Sequence, residues 1–278
     1  MVMNKLRIAH IINPVKVPET SDLYIAQPIT FKSMLIAKEE AEKTGVEVEL
    51  WACCYSEDVS IVPKEFQLAP LLSKSLLDYG KFKKQKKLPL VGDIVNTLYN
   101  CSKADYFIYT NVDIALQKSF YLEVVKKIER GYDVFVINRR TIDGRFTDPS
   151  QLEEMYCEKG EKHPGHDCFV FKREYVRNFL FNHVVIGSNW IGATFISNLI
   201  MTGRKFKIFK EEHLTFHVGN DRVWMGNEFD DITLFNKKQY DNSVSGLKFK
   251  AGKLNNSIRH FFGYRYPFFF RFLPGRIK

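Results

Sequence analysis

Residues 242–278 contain no aspartate and no glutamate, yet they carry eight cations: Lys248, Lys250, Lys253, Arg259, Arg265, Arg271, Arg276 and Lys278. The whole chain of 278 residues has 41 Lys and Arg against 32 Asp and Glu, so subtracting the tail leaves 33 cations against 32 anions. Of the net charge of +9 the tail therefore carries +8, and the body is near neutral. A body without a basic stripe argues against a nucleic-acid-binding protein.

Other absences narrow the field. No run of about 18 apolar residues exists, so no membrane-spanning helix is expected. The start, MVMNKLRIAHIINPV, lacks the long apolar core and cleavage site of a signal peptide. It reads as the first buried strand of a cytoplasmic protein. The five cysteines, Cys53, Cys54, Cys101, Cys157 and Cys168, are odd in number and form no CxxC. Neither a disulfide framework nor a structural zinc site is expected, and reduced, mostly buried thiols fit better. No glycine occurs in residues 11–23. That counts against a sugar nucleotidyltransferase, which carries a Gly-rich loop after its first strand.

Short apolar runs at 6–12, 46–53, 106–109, 134–138 and 168–171 read as buried strands. Helical spacing covers 30–44, 91–101 and 120–130, with Gly45 and Gly131 as stops. The alternation implies an α/β fold with a mostly parallel sheet. Residues 79–89 form a Lys-rich loop, either simply solvated or a cationic lip beside a phosphate. Residues 145–165 have few apolar side chains and read as a long surface segment.

Residues 104–116, ADYFIYTNVDIAL, run from a hydrophobic strand directly into Thr-Asn-x-Asp. Ligands of open α/β sheets sit at the carboxyl ends of strands. Asn111 and Asp113, two residues apart, can face one hard cation, which takes oxygen ligands together with substrate phosphates. Asn and Asp after a strand also serve as turn residues and helix caps.

In its order of elements the chain resembles glycosyltransferases of the GT-A fold, over about residues 5–224. Asn111-Val112-Asp113 is similar to their DxD motif with Asn in the first place, and YTNVDI is similar to the YTNxDI form in bacterial enzymes of surface-polysaccharide (O-antigen or capsule) assembly. FVFKRE at 169–174 is similar to the strand and turn that follow DxD. GRKF at 203–206 is similar to the turn after the acceptor-side helix, and LTFHVG at 214–219 to the strand whose histidine completes the metal site. The resemblance implies Mn²⁺ or Mg²⁺ held by Asp113 and His217. It implies donor contacts from Asn13, Pro14, Gln27, Asp93, Asn111, Arg139, Arg140, Asp221 and Arg222. Asp93 also reads as a first-turn carboxylate favoured by the helix dipole.

GT-A enzymes that invert configuration use a carboxylate near the start of the acceptor-side helix, yet residues 186–192, IGSNWIG, contain none. Asp167 is the substitute base, with His166 as base or acceptor-orienting group. If neither is the base, a retaining mechanism follows. Asn189 and Trp190 would shape the acceptor pocket.

Residues 261–272 hold eight aromatics in twelve positions. With its cations, the tail reads as an anchor on an anionic membrane surface, as a stacking platform for nucleic acid, or as a cap on the body. Taken together, the expectation is a GT-A-like catalytic domain at 1–245 and a basic aromatic tail at 246–278. The enzyme would move a hexose from a nucleoside diphosphate sugar to a glycan or lipid-linked glycan acceptor in polysaccharide biosynthesis, such as that of lipopolysaccharide O-antigen. It would be peripheral on the inner face of the cytoplasmic membrane. The rivals are a sugar nucleotidyltransferase and a non-enzymatic basic protein binding nucleic acid or membrane.

Overall fold

A computed structural model describes residues 6–219 and 227–251. The first half of the chain forms β1 (Arg7–Ile12), α1 (Asp22–Lys43), β2 (Glu47–Ala52), β3 (Gln67–Leu68), α2 (Val91–Cys101), β4 (Tyr106–Thr110), β5 (Ala115–Leu116) and α3 (Phe120–Glu129). It continues with β6 (Val134–Ile137), β7 (Arg140–Ile142), α4 (Leu152–Cys157), β8 (Glu161–Lys162), β9 (Cys168–Lys172), α5 (Ile191–Thr202), β10 (Phe206–Phe209), β11 (Thr215–Val218) and α6 (Asp230–Ala251).

Seven strands form the main sheet in the order β10-β6-β9-β4-β1-β2-β3. Every pairing is parallel except those of β9, which runs antiparallel to both β4 and β6. Its strands read as continuous apolar runs because both faces are covered. Alternate side chains divide between two cores. Ala9, Ile11, Phe107, Tyr109, Val134, Val136, Phe169 and Phe171 pack with Ile94 and Leu98 of α2 and Phe195 and Leu199 of α5. Ile8, Ile12, Ile108, Phe135, Ile137 and Val170 pack with Met34 and Ala37 of α1 and Phe120 and Val124 of α3. Each large apolar side chain so buried contributes about 1.5–3 kcal/mol.

His10 is the polar exception inside β1. It is fully buried, with Nδ1 2.9 Å from the Tyr121 hydroxyl and Nε2 2.9 Å from Thr110 Oγ1. Burial pushes its pKa down to about 3, so the ring is neutral and ties β1 to α3 and β4.

A second sheet of four strands, in the order β5-β11-β7-β8, lies against α1 and α4 through Ile29, Ala115, Ile142, Phe146, Met155 and Phe216. Three expectations change here. Residues 145–165 are not a plain surface segment. Phe146, Leu152 and Met155 are buried, and α4 and β8 lie within it. Helix α1 starts at Asp22 and passes through Pro28, whose missing N–H falls in the partly exposed opening turns. The boundary expected between Ser245 and Gly246 lies inside α6, which continues to Ala251 with Leu247 buried. The rest of the tail lies outside the described residues. Among the described residues no helix is long and apolar enough to cross a membrane.

Candidate active site

The antiparallel insertion of β9 builds the site. Cys168 is in register with Thr110 of β4 on one side and with Ile137 of β6 on the other. The residues just beyond these partners, Asp167, Asn111, Asn138 and Arg139, are therefore brought together where β4 and β6 end. β11 adds His217, in register with Thr141 of β7. A cavity of about 650 Å³ opens here. It is lined by Asn111, Val112, Asp113, Arg139, His163, His166, Asp167 and His217, and by residues 187–193 and Thr233.

His217 and Asp113 form the centre. His217 Nε2 lies 3.3 Å from Asp113 Oδ2, and His217 Nδ1 lies 2.8 Å from the Gly219 carbonyl oxygen. That carbonyl can only accept, so Nδ1 carries the proton and Nε2 turns toward the carboxylate. Two acceptors facing each other need a proton or a cation between them. Burial alone would raise the Asp113 carboxyl, but the hydrogen bond and charge of His217, helped by Arg139, outweigh it and the net direction is down. Burial alone would lower His217, and the same partner raises it overall.

Asp113 Oδ1 is buried without a hydrogen-bond partner. An orphaned carboxylate oxygen beside a histidine whose other nitrogen is fixed by a carbonyl fits a cation site. Among the described residues no third His, Cys, Asp or Glu joins them. Substrate oxygens or water can complete the coordination of a hard cation there.

Asn111 lines the cavity and is tied down within it. Its Oδ1 accepts from the Tyr109 hydroxyl at 3.2 Å, and its Nδ2 donates to Asp167 Oδ1 at 3.2 Å. It positions Asp167. Arg139 Nη1 lies 3.1 Å from Asp167 Oδ2 without hydrogen-bond alignment. Burial raises the Asp167 carboxyl, with Asp113 adding to the rise and Arg139 and His217 opposing it. His166 Nδ1 lies 2.9 Å from Asn138 Oδ1, and Asn138 Nδ2 donates to the His163 carbonyl at 3.2 Å. Burial pushes both His163 and His166 down to about 4, so both rings are neutral near pH 7.

Asn189 and Trp190, which also line the cavity, precede α5. Trp190 adopts a left-handed backbone, φ 79°, which is unusual for a bulky residue. Its ring lies 5.1 Å from that of Tyr240, centroid to centroid, with the Lys237 ammonium 5.2 Å from its own centroid.

Other expected donor residues lie outside this cavity, and Asn13, Gln27 and Arg140 bond backbone groups there. Asn13 Nδ2 donates to the Cys53 carbonyl at 2.6 Å, and Pro14 beside it is buried. Gln27 Oε1 accepts from Val15 N at 2.9 Å, while its Nε2 donates to the Val15 carbonyl at 2.8 Å. Arg140 is buried and donates to the Lys159 carbonyl and, at 2.8 Å, to that of Gly160. Asp93 is half-buried in the first turn of α2, its carboxyl raised by burial against the pull of Lys74 and His183. None of these five lines the cavity around Asp113. Asp221 and Arg222 lie outside the described residues.

Sequence reasoning missed Asn138, His163 and Thr233. The first two adjoin residues already singled out, so nearness to Arg139 and His166 was a usable signal. Thr233 carries no sequence signal, since only the packing of α6 brings it to the cavity.

No family model matches the sequence, and no curated protein does. Solved structures match in fold. TarS of S. aureus, residues 1–349 in complex with UDP-GlcNAc, superposes with a TM-score of 0.50 at 8% identity, over 87% of this chain and 71% of that one. The same TarS segment in a second structure gives 0.48 at 10% identity, over 94% and 75%. At such identity the likeness concerns the fold. The helix-flanked, mostly parallel seven-stranded sheet is the GT-A architecture expected from the sequence.

Proposed function

We propose that the chain is a glycosyltransferase that uses a nucleoside diphosphate sugar and a divalent cation, Mn²⁺ or Mg²⁺, held by Asp113 and His217. The observation that carries this reading is the Asp113–His217 pair, set beside an orphaned carboxylate oxygen in the cavity at the strand ends. The structural neighbour in complex with UDP-GlcNAc makes that compound the first donor to try. When bound, the cation supplies neutralisation of charge developing on the departing diphosphate.

The chain's own groups account for the rest. Asp167 takes the proton from the acceptor hydroxyl as the new glycosidic bond forms and the bond from sugar to diphosphate breaks. A buried carboxylate with a raised pKa suits that task. Asn111 holds its Oδ1 in place and Arg139 offsets its charge. His166, neutral and anchored on Asn138, orients the hydroxyl. Asn189 and Trp190 form the acceptor wall. A base on the acceptor side favours inversion at the sugar carbon.

The group moved is a hexose, and the acceptor is a glycan or lipid-linked glycan of surface-polysaccharide assembly, such as an O-antigen intermediate. The tail's cations and aromatics would hold the enzyme on the anionic inner face of the cytoplasmic membrane, each cation contributing about 1 kcal/mol there.

Release of nucleoside diphosphate from a donor panel, with Mn²⁺ and with excess EDTA, tests this. Release that needs the cation supports it. Turnover undiminished in EDTA removes the cation, and no release from any donor removes the transferase.

A further inference from the structure

We infer that Asn236 of α6 is a positioning residue that holds Trp190 in its left-handed conformation and so shapes the acceptor side of the cavity. The inference rests on reading that cavity as a transferase site.

A bulky residue at φ 79° is strained and persists only where its surroundings enforce it. Here the backbone is pinned on both sides of Trp190. After it, the Trp190 carbonyl accepts from Thr194 N at 2.9 Å and from Thr194 Oγ1 at 2.7 Å. Before it, Asn236 Nδ2 donates to the Asn189 carbonyl at 2.9 Å. That carbonyl belongs to the peptide plane leading into Trp190, so fixing it opposes the rotation that would return φ to a negative value.

Asn236 is itself held rigidly. It is fully buried, its Oδ1 accepts from Val185 N at 2.9 Å, and its Nδ2 also donates to the Val185 carbonyl at 2.9 Å. These bonds fix which end of the amide faces Asn189. Thr233 lies three residues before Asn236 on α6 and Tyr240 four after it, and Lys237 lies four after Thr233 and three before Tyr240. Thr233 lines the cavity, Lys237 lies over the Trp190 ring and Tyr240 packs against it. One helix thus sets both the backbone and the ring of the residue that faces the acceptor.

The test uses the full chain labelled with 5-fluorotryptophan. Three tryptophans give three ¹⁹F signals, assigned by substituting each with Phe. Asn236→Asp keeps the acceptor for Val185 N and loses both donors. It should shift or split the Trp190 signal by more than its linewidth while the Trp51 signal stays in place. An unmoved Trp190 signal overturns the inference.

A stability cycle covers poor folding. Glycine adopts positive φ without strain, so Asn236→Asp should lower Tm at least twice as far in the native chain as in a Trp190→Gly background. Equal losses in both overturn the inference, including failure to fold in both. UDP titration separates the two readings. Retained UDP affinity, within about threefold, places the effect on the acceptor side as expected. A chain that binds no UDP but shows the ¹⁹F shift and the coupled loss of Tm supports the positioning role and removes the transferase. An Asn236→Asp variant whose UDP affinity falls about tenfold or more overturns acceptor-side positioning.

Discussion

His217 presents Nε2 to Asp113 Oδ2 at 3.3 Å while its Nδ1 is committed to the Gly219 carbonyl. A proton or a cation between the two side chains relieves the opposition of their lone pairs, and this competition makes the site sensitive to both pH and metal.

In metal-free protein the pair stabilises the fold over a bounded pH range. His217 is raised above its ordinary 6.5, so its contribution is complete below that value and fades as pH climbs through the raised one. Asp113 is held below its ordinary 3.8, so its contribution is present above that value and fades as pH falls through the lower one. The stability gap between native chain and His217→Gln should be wide at about pH 5 and narrow at about pH 9. Urea midpoints at the two pH values check this, and a gap that widens toward alkaline pH contradicts it.

Asp113→Ala should cut turnover by about 100-fold or more. It removes the carboxylate proposed to hold the cation and leaves the core packing of β4 in place. Far-ultraviolet circular dichroism should match the native chain. Native turnover would show that the carboxylate is dispensable.

Asp167→Asn keeps an oxygen to accept from Asn111 but cannot take a proton. Transfer should fall about 10²–10⁴-fold with donor affinity little changed. In the native enzyme the acid limb of the pH–rate profile should lie above the ordinary carboxyl value of 3.8, because Asp167 is raised. Steady-state kinetics on both proteins measure this. Unaltered transfer would move the base elsewhere.

Arg140→Met should destabilise the chain by about 1–3 kcal/mol, because it strands the Lys159 and Gly160 carbonyls that the buried guanidinium serves. Donor affinity should not change. Denaturant unfolding and UDP titration distinguish this from a donor-contact role, in which affinity would drop first.

A tail deletion needs its cut placed after Ala251, since one after Ser245 would sever α6. The shortened protein should no longer pellet with phosphatidylserine-rich vesicles, while the full chain does so at low salt. Equal pelleting by both would remove the anchor.

Much of the fold was legible because both faces of the main sheet are covered, so β1, β2, β4, β6 and β9 show as short apolar runs. Asp113 and Asp167 could be singled out because each lies close to such a run, whereas His217, inside β11 of the second sheet, could be singled out only through the resemblance of LTFHVG to a GT-A strand. What the sequence did not reveal depends on contacts distant along the chain. The hydrogen bond from Asn111 to Asp167 follows from the antiparallel register of β9. The structural ties of Gln27 and Arg140 follow from carbonyls that only the folded backbone brings near. Residues 145–165 hid α4 because its few apolar residues, Leu152 and Met155, are too sparse to show a period alone.

The central claim, that one site binds a nucleotide sugar together with a cation through Asp113, is tested most directly by thermal shift. Native chain and Asp113→Ala are each melted with UDP-GlcNAc and other nucleoside diphosphate sugars, with and without Mn²⁺. The account predicts stabilisation of the native chain by at least one donor only when Mn²⁺ is present, and none in the variant. Stabilisation that ignores Mn²⁺, or that survives loss of Asp113, would contradict it.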